Sequence, residues 1–383
     1  GCREMAGKPA LGGLGLEPEG LNDAQRERYA RHLVLPDVGE KGQVRLLGAS
    51  VLVVGAGGLG SPALLYLSAA GVGKIGIMDH DMVNMSNLQR QIIHNTSAIG
   101  NSKASSAATR ISELNPEIQV EAIEQKLTHD NALSVIEGYD VVLDGTDNFD
   151  SRYLIGDACE VLGKPWVFGS IHRFDGQVST FNLNGGPNYR DLFPKPPPPE
   201  FAPNCAEAGV LGVLPGLVGT IQAAEAIKAI LGIGVPLSGE LLIIDALTME
   251  MRTLSFSTDP NRARVASIEA PKSGLFMEIS PTDYIHRLEG NWQPFLLDVR
   301  RAEEEEIVSI GGTDLRIQHL QVPGRTEEIP SDMDIVIYCR TGGRSAAVAR
   351  FLSESGWAGS QIYNLSGGIH EWSDTVDSCF PKY

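Results

Sequence analysis

The sequence predicts an α/β protein of two units, and three observations carry that prediction. From Ser50 onward, short β-branched runs alternate with amphipathic helical patterns, the signature of parallel strands joined by crossover helices. Two loops rich in glycine each follow such a run: Gly55-Ala56-Gly57-Gly58-Leu59-Gly60, and Cys339-Arg340-Thr341-Gly342-Gly343-Arg344. The chain has 383 residues, more than one typical hydrophobic core supports.

Taken in order, the chain opens Gly1-Cys2 without a Met or a signal-peptide pattern, and residues 1–20 are expected to form a disordered lead-in. Val51-Leu52-Val53-Val54 reads as a strand, Ser61 to Ala70 as a helix and Lys74 to Asp79 as the next strand. Further strands are expected at Val141-Val142-Leu143-Asp144 and Trp166-Val167-Phe168. Runs at Gln177 to Phe181 and Leu241 to Asp245 are expected to extend the sheet antiparallel. The proline run Pro194-Lys195-Pro196-Pro197-Pro198-Pro199 joins neither ladder nor helix interior, so it predicts a stiff extended segment, with Cys205 shortly after it. Gly209 to Gly234 is strongly apolar, but Gln222, Glu225 and Lys228 interrupt it; it reads as a buried helix and not a membrane span. Periodicity fades after Phe256, giving a first domain of residues 21–264, a linker at 265–275 and a second domain at 276–383. The second domain should contain strands at Phe295 to Asp298 and Ile335 to Tyr338, then a helix from Arg344 to Ser355.

Thirty-one Lys and Arg against 48 Asp and Glu leave a formal charge of −17, which argues against nucleic acid or an anionic membrane as partner. The five cysteines, Cys2, Cys159, Cys205, Cys339 and Cys379, are odd in number and contain no CxxC pair, so neither a disulfide framework nor a cysteine zinc site is expected. A reducing cytoplasm fits that usage. Cys159 on its helix reads as a small buried hydrophobe, and Cys2 and Cys379 as incidental.

The turn carrying Gly55, Gly57, Gly58 and Gly60 suits close backbone approach to a phosphate, with the following helix N-terminus adding partial positive charge. Asp79 lies at the end of the next run, at the spacing expected of a ribose-hydroxyl acceptor. That much describes a nicotinamide dehydrogenase equally well. Three downstream segments tip the balance: Ser86-Asn87-Leu88-Gln89-Arg90-Gln91, then Lys103, then Asp144-Gly145-Thr146-Asp147-Asn148. In order and spacing these resemble the Rossmann-like adenylation domain of MoeB and ThiF proteins and of ubiquitin-activating enzymes, from about Asn22 to Ser257.

The resemblance implies that ATP is the cofactor. A carboxylate attacking its α-phosphate brings anions together, so Arg90 and Lys103 would offset repulsion and the charge developing on pyrophosphate. Asp147 would hold Mg²⁺, a hard cation suited to carboxylate and phosphate oxygens, with Ser86, Asn87 and Asn148 lining the nucleotide site. Asn148 is also placed to cap the next helix. Arg31 occupies the position from which the family's N-terminal arginine reaches a partner subunit's nucleotide, implying a homodimer. The family often binds zinc through two CxxC pairs. Here Asn188-Tyr189-Arg190-Asp191 and Arg262-Ala263-Arg264-Val265 occupy those stretches, so no zinc is expected, as in the zinc-less MoeZ subgroup.

Cys339 opens a six-residue loop in which successive main-chain N–H groups are expected to converge on its sulfur. Thr341, Gly342 and Gly343 shape the loop, and Arg340, Arg344 and the next helix N-terminus are expected to aid a thiolate or persulfide. With Leu297-Asp298-Val299-Arg300 and Gly367-Gly368-Ile369-His370-Glu371-Trp372, this stretch resembles a rhodanese domain from about Phe276 to Trp372. Asp298 reads as structural, anchoring the domain through Arg300.

Joined, the two resemblances imply adenylation of the C-terminal Gly-Gly carboxylate of a ubiquitin-like sulfur carrier. Sulfur would then pass from a Cys339 persulfide, loaded by a cysteine desulfurase or thiosulfate, to give a thiocarboxylate. A MoaD-like carrier for molybdopterin, or a CysO-like one, is favoured; ThiS-like and tRNA-thiolation carriers stay open. Cys205 matches the family's E1-type cysteine and would form a thioester or resolve the acyl disulfide. Two rivals remain: a nicotinamide oxidoreductase, which leaves Arg90, Lys103 and Asp147 without work, and a noncatalytic carrier-binding scaffold.

Overall fold

The structure, a computed structural model, describes residues 20–196, 209–268 and 275–383. They fall into two compact units, one of 20–196 with 209–268 and one of 275–383. Residues 1–19 with Cys2, the prolines 197–199, Cys205 and the linker positions 269–274 lie outside the described residues.

The first unit begins with α1 (Asp23–Arg28), where Asn22 and Gln25 cap each other's main-chain N–H, followed by α2 (Ala30–Leu33) and α3 (Gly39–Gly48). Strand and helix then alternate: β1 (Ser50–Val54), α4 (Gly60–Ala70), β2 (Lys74–Met78), α5 (Lys103–Leu114), β3 (Gln119–Ile123), α6 (Ala132–Glu137), β4 (Val141–Asp144), α7 (Phe149–Leu162) and β5 (Trp166–His172). The unit closes with β6 (Asp175–Phe181), α8 (Tyr189–Leu192), α9 (Val213–Leu231), β7 (Glu240–Asp245) and β8 (Glu250–Ser255). Among the described residues these strands make one sheet in the order β3-β2-β1-β4-β5-β6-β7-β8, parallel as far as β5 and antiparallel beyond it.

The chain sends β2 and β3 to one side of β1 and β4 to the other, so the strand order reverses at β1. Ligands of open α/β sheets sit in the crevice beyond the carboxyl ends of the strands at such a reversal. Val54 pairs with both Met78 and Asp144, so the segments leaving β1, β2 and β4 start level with one another. The central strands are covered on both faces, which is why they read as apolar runs with polar residues confined to their ends.

α9 is long and apolar enough to cross a membrane by length and composition alone. It is the central helix of this unit, packed on α4, β5 and β6. Its interrupting polar residues are buried and bonded: Gln222 Nε2 donates to the Asp144 and Val167 carbonyls at 2.7 and 3.2 Å. Glu225 accepts from Thr180 Oγ1 at 2.9 Å and the Leu237 N–H at 2.7 Å.

The second unit comprises β9 (Met277–Ile279), α10 (Pro281–Glu289), β10 (Phe295–Asp298), α11 (Ala302–Ile307), β11 (Leu315–Arg316), β12 (Ile335–Tyr338), α12 (Gly343–Glu354), β13 (Ile362–Leu365) and α13 (Gly368–Thr375). Its strands, all parallel among the described residues, run β11-β10-β12-β13-β9. Side chains alternate across the sheet into two apolar clusters, Leu297, Ile335 and Ile337 on one face and Leu296, Val336 and Tyr338 on the other. The unit therefore has a core of its own.

Candidate functional sites

In the first unit the glycine turn leaves β1 and doubles back into α4. Gly55 has φ +98°, and a Cβ there would stand 2.6 Å from the Gly145 carbonyl oxygen, so only glycine permits the turn to lie against the loop after β4. That close approach sets the glycine turn beside the segment carrying Asp147. Asp79 is buried at the end of β2; its Oδ2 accepts the Ala56 N–H at 2.8 Å and its Oδ1 the Asp81 N–H at 2.9 Å. Oδ2 thus shapes the glycine turn and Oδ1 the segment after β2, each keeping a further lone pair for a ribose hydroxyl.

Lys103 opens α5 and is buried to 7% exposure, its ammonium 2.8 Å from Asp81 Oδ2. Burial would raise the Asp81 carboxyl, but the Lys103 hydrogen bond and charge outweigh it and hold it below its ordinary range. Arg90 is half-buried; its Nη1 donates to the Ser86 carbonyl at 3.1 Å and its Cγ stands beside Gly58. Asn87 Oδ1 accepts the Asn84 N–H at 3.0 Å, while Ser86 is exposed. Asp147 is exposed, and Asn148 Oδ1 caps α7 through the Ser151 N–H at 2.9 Å. Arg31 stands exposed on α2. The turn, Asp79 and Asp147 lie at the carboxyl ends of three adjacent strands.

Behind this crevice lies a pairing that motif reading did not find, between Asp144 of the strand end and Arg152. Asp144 is wholly buried; its Oδ1 accepts from the Thr146 N–H at 2.8 Å and Oγ1 at 2.7 Å, while Oδ2 stands 3.7 Å from Arg152 Nε. Arg152 Nη2 in turn donates to the Thr146 carbonyl at 3.3 Å. The pair grips Thr146 from both sides and so fixes the loop that presents Asp147. Burial raises the Asp144 carboxyl to about 6, against the lowering charge of Arg152 and the Thr146 hydrogen bonds. His94 is likewise buried, between Ala56 and Ser106.

The stretches matched to the absent CxxC pairs hold an ion-pair cluster. Arg262 donates through Nε to Asp191 Oδ1 at 2.8 Å and through Nη2 to Glu160 Oε1 at 2.9 Å. Asn188 Nδ2 donates to Glu160 Oε2 at 2.6 Å, and the Asn188 N–H to Asp191 Oδ2 at 2.7 Å. The arginine fork ties the segment after β8 to α8, joining the two matched stretches, and also to Glu160 on α7.

In the second unit Cys339 follows β12 and is fully buried. Its Sγ accepts the Gly342 N–H at 3.1 Å and the Ser345 hydroxyl at 3.4 Å. The expected run of amides on the sulfur is therefore one amide and one hydroxyl among the described residues. The reason is local: Gly342 takes φ +88° and α12 begins at once. Gly367 and Gly368 brace the loop from the other side, where a Cβ at Gly368 would meet the Cys339 carbonyl oxygen at 2.2 Å. The Ile369 and His370 N–H groups donate to the Cys339 and Arg340 carbonyls, both at 3.0 Å.

The two loop arginines differ. Arg344 forms a fork on Glu304 at 2.8 and 2.7 Å. Burial would raise the Glu304 carboxyl, yet the Arg344 bonds, the Arg301 N–H and the charges of Arg344 and Arg300 hold it at about 2. Much of the Arg344 charge expected to favour the sulfur is thus neutralised by Glu304. Arg340 lies over the Tyr383 ring at 5.9 Å, and Thr341 is exposed. Arg300 and Asp298 form a buried pair at 2.7 Å, with Arg300 also donating to the Glu304 and Val308 carbonyls at 3.0 and 2.8 Å, an anchor of the domain. Cys159 is buried on α7, and Cys379 is exposed.

Residues 29–265 match the family model described as ThiF family, and residues 280–375 that of the rhodanese-like domain. A protein of Mycobacterium tuberculosis (strain CDC 1551) named "Probable adenylyltransferase/sulfurtransferase MoeZ" is 44% identical over 95% of this chain and 96% of its own. The Adenylyltransferase and sulfurtransferase MOCS3 of Aedes aegypti is 38% identical over 95% of this chain and 90% of its own. The Sulfur carrier protein adenylyltransferase of Thermus thermophilus is 54% identical over 61% of this chain and 88% of its own. Among solved structures, E. coli MccB with succinimide overlays with a TM-score of 0.55 at 18% identity, covering 63% of this chain and 74% of that one, a likeness of fold.

Proposed function

This chain belongs to the ThiF family and carries a rhodanese-like domain, and from that premise we propose that it converts the C-terminal Gly-Gly carboxylate of a ubiquitin-like carrier into a thiocarboxylate. It is an adenylyltransferase and sulfurtransferase of sulfur-carrier activation. The observation that supports the finer reading is the pairing, in one chain, of a glycine turn lying against the Asp147 loop with a Cys339 sulfur held by an amide and a hydroxyl.

In the first half-reaction the carrier carboxylate attacks the α-phosphate of ATP, forming the acyl adenylate as the bond to pyrophosphate breaks. Main-chain N–H groups of the glycine turn bind phosphate, Asp79 takes the ribose, and Lys103 and Arg90 draw charge from the departing pyrophosphate. Lys103 does so from a buried position in which Asp81 holds its ammonium. The exposed Asp147 suits Mg²⁺, which takes one or two protein carboxylates beside phosphate oxygens and supplies charge neutralisation when bound. Arg31 serves the nucleotide of a second copy in a homodimer.

In the second half-reaction a persulfide on Cys339 attacks the acyl carbonyl and AMP leaves, giving a carrier–Cys339 acyl disulfide. A thiol then takes the inner sulfur, releasing the thiocarboxylate and leaving a disulfide for an external dithiol to reduce. Cys205 is the candidate for that thiol, or for a transient thioester with the carrier. A cysteine desulfurase or thiosulfate loads Cys339. No structural zinc enters this reading, and the enzyme is proposed to work in the cytoplasm. The MoeZ and MOCS3 names favour a MoaD-like carrier for molybdopterin, with a CysO-like carrier next.

The test is exchange of labelled pyrophosphate into ATP with a panel of small Gly-Gly-ended proteins. Exchange with one carrier, reduced at least about a hundredfold by Asp147→Ala, is expected. Absence of exchange with every carrier would leave the scaffold reading.

A further inference from the structure

Residue Ala56 of the glycine turn is held at both its main-chain polar groups by side chains, its N–H in the peptide from Gly55 and its carbonyl in the peptide to Gly57. Its N–H donates to Asp79 Oδ2 at 2.8 Å, and its carbonyl lies 2.9 Å from His94 Nε2. A carbonyl only accepts, so Nε2 carries the imidazole proton. In the neutral ring Nδ1 is then an acceptor, and the Ser106 hydroxyl stands 2.9 Å from it as donor. Ser106 belongs to α5, three residues beyond Lys103. His94 is therefore a strut between the glycine turn and the helix that carries Lys103, and it is 7% exposed.

Two further facts make this more than core packing. In a trans peptide the carbonyl and the next N–H point in opposite directions. With the Ala56 carbonyl drawn onto His94, the Gly57 N–H is directed away from it, and Gly57 and Gly58 are both half-exposed. Without His94 the peptide is free to flip, presenting a carbonyl oxygen where a phosphate must bind. Burial is the main cause that lowers the His94 pKa; the Lys103 charge acts the same way, and the Ala56 hydrogen bond and Asp79 oppose it. These are the charged groups facing the ring, and the neutral form is the one the two hydrogen bonds describe.

We propose that His94 is a positioning residue for the nucleotide: through the Ala56 carbonyl it sets the main-chain N–H of Gly57 toward the phosphates of ATP and couples that turn to the helix bearing Lys103. The proposal rests on the adenylation reading above. It differs from a structural role in predicting a loss confined to ATP binding and rescued by any side chain that restores the donor.

The experiment compares His94→Phe, His94→Gln and Ser106→Ala with the unaltered chain, measuring ATP affinity by calorimetry without carrier, pyrophosphate exchange with carrier, and thermal unfolding. His94→Phe is expected to weaken ATP binding and raise its KM about tenfold, with kcat for exchange within about threefold. His94→Gln places an amide donor near Nε2 and is expected to recover affinity to within about threefold; Ser106→Ala should fall between. ATP affinity unchanged in His94→Phe overturns the proposal, as does an equal loss in the Phe and Gln variants accompanied by equal loss of thermal stability. If His94→Phe does not fold, Ser106→Ala and His94→Gln decide the matter by the same calorimetry: affinity unchanged in Ser106→Ala, or lost in His94→Gln, overturns it. Because calorimetry omits the carrier, failure of the adenylation reading would appear separately, as an unaltered chain that binds ATP but exchanges nothing.

Discussion

Ser345 illustrates what a single residue adds to the chemistry of its neighbour. A thiolate or persulfide gains from each hydrogen bond directed at sulfur, and Cys339 has two, from the Gly342 N–H and the Ser345 hydroxyl. Removing the hydroxyl leaves the amide in place and the helix intact. Ser345→Ala is therefore expected to lower thiosulfate sulfurtransferase turnover about tenfold. Unchanged turnover would mean the hydroxyl serves only the Gly342 carbonyl, which it also reaches at 3.0 Å. The Cys339 loop was legible in the sequence because a cysteine opening a glycine-rich turn after a strand is a local pattern, and the structure places it there, after β12. Ser345 was not, since only the first turn of α12 brings it back to the sulfur. The partner of Arg344 was not legible for a related reason: Glu304 lies on a separate element, and local spacing does not report a fork across the fold.

At the scale of elements, legibility followed burial. Strands covered on both faces, such as β1, β4 and β12, carry uninterrupted apolar stretches and announced themselves, whereas the edge strands β3 and β8 carry exposed polar positions and did not. β13 is fully buried yet only four residues long, and Asn364 within it bonds Glu278 on β9, so its run looks broken in sequence. The contacts that tie elements together were less legible still. Arg262, 13% exposed at its side chain, holds Glu160 and Asp191, at 7% and 1%. Its removal leaves two buried carboxylates, so Arg262→Ala is expected to destabilise the first unit by about 3 kcal/mol in denaturant melts, with no gain or loss on adding a chelator. The buried Asp144–Arg152 pair has a pH signature of opposite sense to an ordinary salt bridge. With its carboxyl raised to about 6, the folded state binds the Asp144 proton more tightly than the unfolded chain. Its contribution is full below the unfolded value, near 4, and is lost as pH rises through about 6. Relative to Asp144→Asn, the unaltered chain should lose roughly 3 kcal/mol between pH 4 and pH 7, followed by melts at fixed ionic strength; a flat difference would refute the assignment.

At the scale of the whole molecule, the division of labour follows from two separate cores. The apolar clusters around Val53 and Trp166 lie wholly in the first unit, and those around Ile337 and Trp372 wholly in the second. Neither unit borrows core residues from the other among those described, so damage at one site should not unfold the other. Two activities are then separable by single substitutions. Asp147→Ala, at an exposed position on a loop held by other residues, should abolish carrier-dependent pyrophosphate exchange while thiosulfate turnover at Cys339 stays within about twofold. Cys339→Ser should do the reverse, and both should abolish thiocarboxylate formation. The two motifs were legible because each is a local loop beside a strand, whereas no short motif in the sequence reports carrier choice. The decisive comparison is between the single-site assays and the joint product. If Cys339→Ser still yields thiocarboxylate at an undiminished rate, sulfur enters the adenylate directly from an external donor, and the second unit serves as a docking module and not as the carrier of the transferred atom.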